Sequence, residues 1–145
     1  MSGSPEGDKR DLLKHVLLPV ANETDARKTA KALEPYDPAH VTGLHVVEKG
    51  EGVPDKTPVS QSEEIAEKSY AAIREVFPDA SEHTAYRRNI VDAIFEAAEE
   101  VDASAVAFRS RGGNRLVQFI SGDTTLKIVT EADLPVISLP RDDDK

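Results

Sequence analysis

His15-Val-Leu-Leu-Pro-Val20 (HVLLPV) is a short uninterrupted apolar run that ends just beyond a proline. A strand with one wet face alternates apolar and polar residues. A run that is apolar at every position belongs to a strand covered on both faces, which requires helices above and below the sheet. The next stretch supplies the first of them: Asn22 or Thr24 is placed to cap a helix in which Ala26, Ala30 and Leu33 recur at i, i+4 and i+7 until Pro35 stops it.

The same grammar repeats along the chain. HVTGLHVV, residues 40–47, is a second strand, and residues 48–59 form an aperiodic loop with two Gly and two Pro. A second helix runs to Phe77, with Ser60 or Ser62 placed to cap it and Ile65, Ser69, Ala72, Ile73 and Val76 on one stripe. Glu82 to Arg87 alternates weakly and reads as a third strand. Ile90, Ile94, Ala98 and Val101 mark the inner face of a third helix whose Glu96, Glu99 and Glu100 meet water. ASAVAF, residues 103–108, is a buried strand of small residues, followed by a basic loop over 109–121, a helix from about Asp123 to Ala132, and a last strand, LPVISL, at 134–139. Strands alternating with helices at this spacing need right-handed crossovers, so the fold is α/β: an open five-stranded parallel sheet with helices on both faces, Rossmann-like in type.

Composition narrows the function. The 145 residues suit one domain, and such a length buries roughly 68–70% of its unfolded surface, enough for a core without staples. With no cysteine, disulfide scaffolds, thiolate zinc sites and thiol catalysis are excluded. The 27 acidic against 18 basic side chains give a net charge of −9, which excludes a general grip on nucleic acid or on an anionic membrane. No apolar run reaches the ~20 residues of a membrane span, and MSGSPEGDKRDLLKH lacks the basic-then-apolar layout of a leader, so the expected location is cytoplasmic. Residues 1–12 read as a disordered lead-in, 13–140 as the domain and 141–145 as an acidic tail.

In an open parallel sheet, ligands sit beyond the carboxyl ends of the strands, where neighbouring connections leave to opposite faces. That selects Ala21 to Thr24 after the first strand and Arg109 to Ser121 after the fourth. The second segment, RSRGGNRLVQFISGDTT from Arg109, carries Arg109, Arg111 and Arg115 with no acidic residue before Asp123. Gly112, Gly113 and Gly122 allow close backbone approach, and a helix amino terminus follows, so an oxyanion or phosphate cradle fits this loop.

From His15 to Leu139 the sequence resembles the universal stress protein family. HVLLPV, the LHVV of the second strand, AVAFRSRGG after the fourth, Gly122 and the final Leu-Pro-Val-Ile carry the resemblance. It implies strand order 3-2-1-4-5 and a homodimer formed by antiparallel pairing of the last strand, here Val136, Ile137, Ser138 and Leu139, with its copy. Its nucleotide-binding branch carries G-x2-G-x9-G-[ST]. In this chain Arg109 stands at the first glycine, Gly112 and Gly122 fit the second and third, and Asp123 replaces the Ser/Thr. A carboxylate there repels a phosphate ~4 Å away by ~1–4 kcal/mol, and Thr124 offers a hydroxyl one position, or about 100° of helix, later. Where the branch has an aspartate after the first strand, this chain has Ala21. The resemblance therefore implies a stress-response or regulatory module without turnover of its own, with an altered site: phosphate near Arg109, Arg111, Gly112, Gly113, Gly122, Asp123 and Thr124, and the adenine end near Ala21 and Val46. ATP or AMP is the implied ligand, a small anion its substitute, and the protein partner is unspecified. The alternatives are an ATP/AMP sensor whose 109–121 loop orders on binding and, below it, a nucleotide hydrolase.

No other chemistry competes. His40 and His45 lie five apart, so on a strand they face opposite sides and share no metal; His15 and His83 complete a set read as structural or surface histidines. No P-loop, no GxGxxG and no nucleophile elbow is present, so no catalytic residue and no metal site is assigned.

Overall fold

A computed structural model describes residues 11–48, 59–87, 90–109 and 133–140. Five strands, β1 (Val16–Pro19), β2 (Val41–Glu48), β3 (Ser81–Arg87), β4 (Ala105–Arg109) and β5 (Val136–Leu139), form one parallel sheet in the order β3-β2-β1-β4-β5. Three α-helices, α1 (Glu23–Leu33), α2 (Val59–Val76) and α3 (Ile90–Glu100), and a short 3-10 turn after α1 complete the described elements. The helix expected over 123–132 and the 109–121 loop beyond Arg109 lie outside the described residues, as does most of the 48–59 loop.

The sheet is sealed on both faces, as the all-apolar first strand requires. Every residue of β1 is buried. Val16, Leu18, Val41 and Ala107 pack under α1 and α2, against Ala26, Ala30, Leu33, Ala72 and Ile73. Leu17, Leu44, Ala85 and Val106 pack on the other face against Val91, Ile94, Ala97 and Ala98 of α3. Ala85 is the buried position that holds the weakly patterned β3 in register with Val46.

Two local readings, the cap of α2 and the end of β4, are corrected, and the stop at Pro35 is refined. Helix α2 already includes Val59, so Ser60 and Ser62 lie within its first turn and do not cap it. Buried Ser69 in the same helix is satisfied by donating to the Ile65 carbonyl at 2.8 Å. Pro35 ends α1, but the chain continues through a 3-10 turn, Glu34–Tyr36, because proline is tolerated at the first positions of a helical turn. Finally, β4 extends one residue beyond Phe108, so Arg109 is a strand residue, 8% exposed, and not the opening of the loop.

Close approach of α2 to the sheet rests on Gly43. A Cβ built there would lie 2.5 Å from Ile73 Cδ1 and 3.3 Å from Tyr70 Cδ1. Tyr70 itself is anchored through its hydroxyl, which donates to the His83 carbonyl at 2.6 Å and lies 2.6 Å from Thr84 Oγ1. Burial pushes its phenol up to about 12.

Candidate functional site at the carboxyl edge

The switch point of this topology is β1, whose neighbours β2 and β4 are reached by connections on opposite faces. Beyond its carboxyl end lies a cavity of about 360 Å³ lined by Pro19, Val20, Ala21, Asn22, Leu44, His45 and Val46. Ala21 and Val46, from separate segments of the sequence, are thus brought together, and both are half-buried.

The rim is built by the start of α1. Asn22 is its cap: the backbone is extended there, with φ −162°, and the side-chain oxygen accepts from the Asp25 N–H at 2.8 Å. Asp25 returns the favour, accepting from the Ala21 N–H at 2.8 Å and from the Thr29 hydroxyl at 3.2 Å. This reciprocal arrangement fixes the turn from β1 into α1 and occupies the Ala21 N–H. Glu23 and Asp25 also place two carboxylates in the first turn, so the helix dipole already has its anions.

Two side chains on this edge each leave one buried nitrogen without a partner among the described residues. His45 Nδ1 and Arg109 Nε are the buried side-chain polar atoms without a hydrogen bond among the described residues. Burial holds the His45 imidazole below its ordinary range, and the Val20 backbone only partly offsets this. Of the expected phosphate residues, Arg109 ends β4, while Arg111, Gly112, Gly113, Gly122, Asp123 and Thr124 lie outside the described residues. Val136, Ile137, Ser138 and Leu139 form β5, the end strand of the sheet; Leu139 is buried and Ser138 exposed.

The sequence reading missed the burial of His45. Its signal was present in the alternation: His45 shares parity with Val41, which packs inward under α2. The reading also missed a meeting of His15 and His40 at the opposite, amino edge, where the rings stand 4.7 Å apart at 72°. His15 Nε2 is 2.6 Å from Thr42 Oγ1, and His40 Nε2 is 2.9 Å from Ser81 Oγ. His83 pairs with Glu100 at 3.1 Å. Among the described residues no set of three His, Cys, Asp or Glu is placed to hold a metal ion, and no helix is long and apolar enough to cross a membrane.

His15 titrates below its ordinary value, first because it is buried and then because His40 is near; Asp102 opposes the shift. His45 shifts the same way. Both imidazoles are therefore more readily protonated in the unfolded chain, near pH 6.5, than in the folded one. Stability is fully present above that pH and falls as the solution is acidified through it. Urea unfolding at pH 7.5 and 5.5 is expected to show a lower midpoint at 5.5, with a smaller difference in His15→Gln; an unchanged difference would assign the pH effect elsewhere.

The sequence profile of the universal stress protein family matches residues 13–140. No curated protein sequence matches the chain. Among solved structures, a universal stress protein from Archaeoglobus fulgidus in complex with dAMP is similar, with 21% identity, a TM-score of 0.64, and coverage of 89% of this chain and 99% of that one. A universal stress protein family protein from Arabidopsis thaliana with AMP bound is 14% identical, with a TM-score of 0.57 and coverage of 91% and 94%. One from Lactobacillus plantarum is 20% identical, with a TM-score of 0.60 and coverage of 90% and 99%. The order β3-β2-β1-β4-β5 is the fold these proteins share with it, and with the profile matched across nearly the whole chain, this protein belongs to the universal stress protein family.

Proposed function

We propose that this chain is a stress-response regulatory module that binds an adenine nucleotide, ATP or AMP, at the carboxyl edge of its sheet and does not turn it over. The observation that carries this reading is the cavity that unites Ala21 with Val46 beside the switch point. Its volume, about 360 Å³, lies within the range of small-molecule sites, at the small end. The relatives solved with dAMP and AMP support the ligand class. In this reading the base and ribose lie against Ala21 and Val46, and the phosphate lies towards Arg109 and the Gly112, Gly113 and Gly122 backbone. The protein acts in the cytoplasm as a homodimer, formed by antiparallel pairing of β5; an end strand otherwise leaves backbone donors and acceptors open.

Filling the cavity tests the reading. Calorimetric titration of the wild type with AMP is expected to give saturable binding, and Ala21→Trp is expected to weaken it at least about tenfold, with thermal unfolding little changed because Ala21 packs on the rim and not in the core. No heat of binding with millimolar AMP or ATP would contradict the reading.

A further inference from the structure

His15 and His40 stand where four strands begin, at the edge of the sheet opposite the candidate nucleotide cavity. His15 directly precedes β1, and His40 directly precedes β2. The His15 N–H donates to Ser104 Oγ at 2.9 Å and its carbonyl accepts from the Ser104 N–H at 2.7 Å, which ties it to the start of β4. Its Nε2 lies 2.6 Å from Thr42 Oγ1 in β2, and His40 Nε2 lies 2.9 Å from Oγ of Ser81, the first residue of β3. The Val16 N–H donates to the His40 carbonyl at 2.9 Å, and the Ala39 N–H to the Leu13 carbonyl at 2.8 Å. Beside them opens a cavity of about 970 Å³, whose lining includes Leu12, Val101, Ala103 and Leu134 as well as both imidazoles.

The edge-to-face contact, 4.7 Å between ring centroids at 72°, accommodates one charge and not two. A positive edge suits the face of a neutral ring. Two imidazolium charges at that distance repel, so protons enter the pair in two coupled steps. In keeping with this, His40 is, after burial, the second cause that holds His15 below its ordinary range. The hydroxyl partners keep the rings facing each other, because a hydroxyl accepts from a protonated ring as readily as it donates to a neutral one. Thr42 is only 1% exposed. The surrounding charges do not neutralise a doubly protonated pair. Asp11, Asp102 and Asp133 line the cavity from the segment before β1, the turn after α3 and the segment before β5, but all three are exposed to water, and Lys14 adds a positive charge among them. On β3, Glu82 beside Ser81 is engaged by Arg74 at 3.0 Å.

We propose that the His15–His40 pair is an acid-operated latch: with at most one proton on the pair it holds the starts of β1, β2, β3 and β4 together, and a second proton drives the rings apart and opens the amino-edge cavity. Imidazoles are the side chains whose charge ordinarily changes between pH 5 and 8, so acidification of the solution is the signal. The opening is local. His40 withdraws, because its bond to Ser81 is exposed, while His15 stays with buried Thr42. The latch gives the protein an input at the edge remote from the nucleotide cavity, and it stands or falls independently of nucleotide binding.

Amide hydrogen exchange of the full chain, followed by NMR at pH 7.5 and 5.0 and corrected for the intrinsic pH dependence of exchange, tests this. The Val16, Ala39 and Ser104 amides, all bonded across the amino edge, are expected to lose at least about tenfold more protection at pH 5.0 than the Val20 and Ala26 amides at the carboxyl edge. His40→Gln keeps a partner for Ser81 but takes up no proton. It is expected to abolish this excess and to raise the pH at which the His15 ring titrates, followed through its Cε1 proton. His15→Gln is expected to abolish the excess too; if that variant fails to fold, wild type and His40→Gln decide. Equal loss at both edges, or no loss at either, would overturn the latch, because acid would then act on the whole fold or on nothing. So would an unchanged His15 titration, or an undiminished excess, in His40→Gln.

Discussion

Gly43→Val is expected to destabilise the protein by about 3 kcal/mol, the upper end of the usual cost of overpacking a core, and to lower the unfolding temperature by about 10 °C. The first atom added already meets Ile73 Cδ1 at 2.5 Å, and Tyr70 Cδ1 stands at 3.3 Å. Ile73 is 1% exposed, so its terminal methyl cannot be displaced into solvent. Tyr70 is tied at its hydroxyl to β3 and cannot swing away. Relief must come from lifting α2 off β2. Gly43→Ala combined with Ile73→Val should therefore cost less than the sum of the two single changes, since trimming Ile73 removes the atom that clashes. Strict additivity in denaturant unfolding would show that the helix moves freely and that the close approach is not what holds it.

Asp25→Ala is expected to cost about 3 kcal/mol, because a buried carboxylate is removed and donors that it accepts from are stranded. The donors are the Ala21 N–H and the Thr29 hydroxyl, and Asp25 is 6% exposed. Asp25→Asn keeps one acceptor oxygen and should lose roughly half as much. Both variants should also weaken AMP binding, since the Ala21 N–H to Asp25 bond fixes the turn that lines the cavity. Urea unfolding of the two variants within 0.5 kcal/mol of wild type, about the scatter of an ordinary surface change, would show that the turn holds itself without the carboxylate.

The chain's period-2 and period-3.6 patterns carry most of the fold. HVLLPV reads as doubly covered, and all of β1 is buried; the stripes Ala26-Ala30-Leu33 and Ile94-Ala98 are the residues that pack. Even β3, with its thin pattern, follows, because Ala85 alone on the inner face suffices once β2 is alongside. Boundaries were less legible where a polar residue ends a strand: Arg109 reads as loop by chemistry and is strand by pairing with Leu139.

The site was legible at the level of loops and not of contacts. Ala21 follows from the position of a strand end, a property of topology, whereas Val46 came only with the resemblance to the family. Asp25 did not follow, since an acidic residue in a first helical turn looks the same in sequence whether it faces water or folds back onto a preceding N–H. Spacing along one strand separated His40 from His45, yet the neighbours that matter lie across strands: His40 meets His15 because β1 and β2 are adjacent. His45 and Arg109 flank Val20 for the same reason, and no pattern within a single segment encodes that meeting.

The most direct measurement is an amide nitrogen–proton NMR titration of the ¹⁵N-labelled protein with AMP. Saturable shifts are expected at Val20, Ala21 and Asn22, at Leu44 to Val46, and at Arg109, with His15, His40 and Ser104 at the opposite edge unmoved. Shifts confined to that amino edge, or none at millimolar AMP, would contradict a nucleotide site at the carboxyl end of β1.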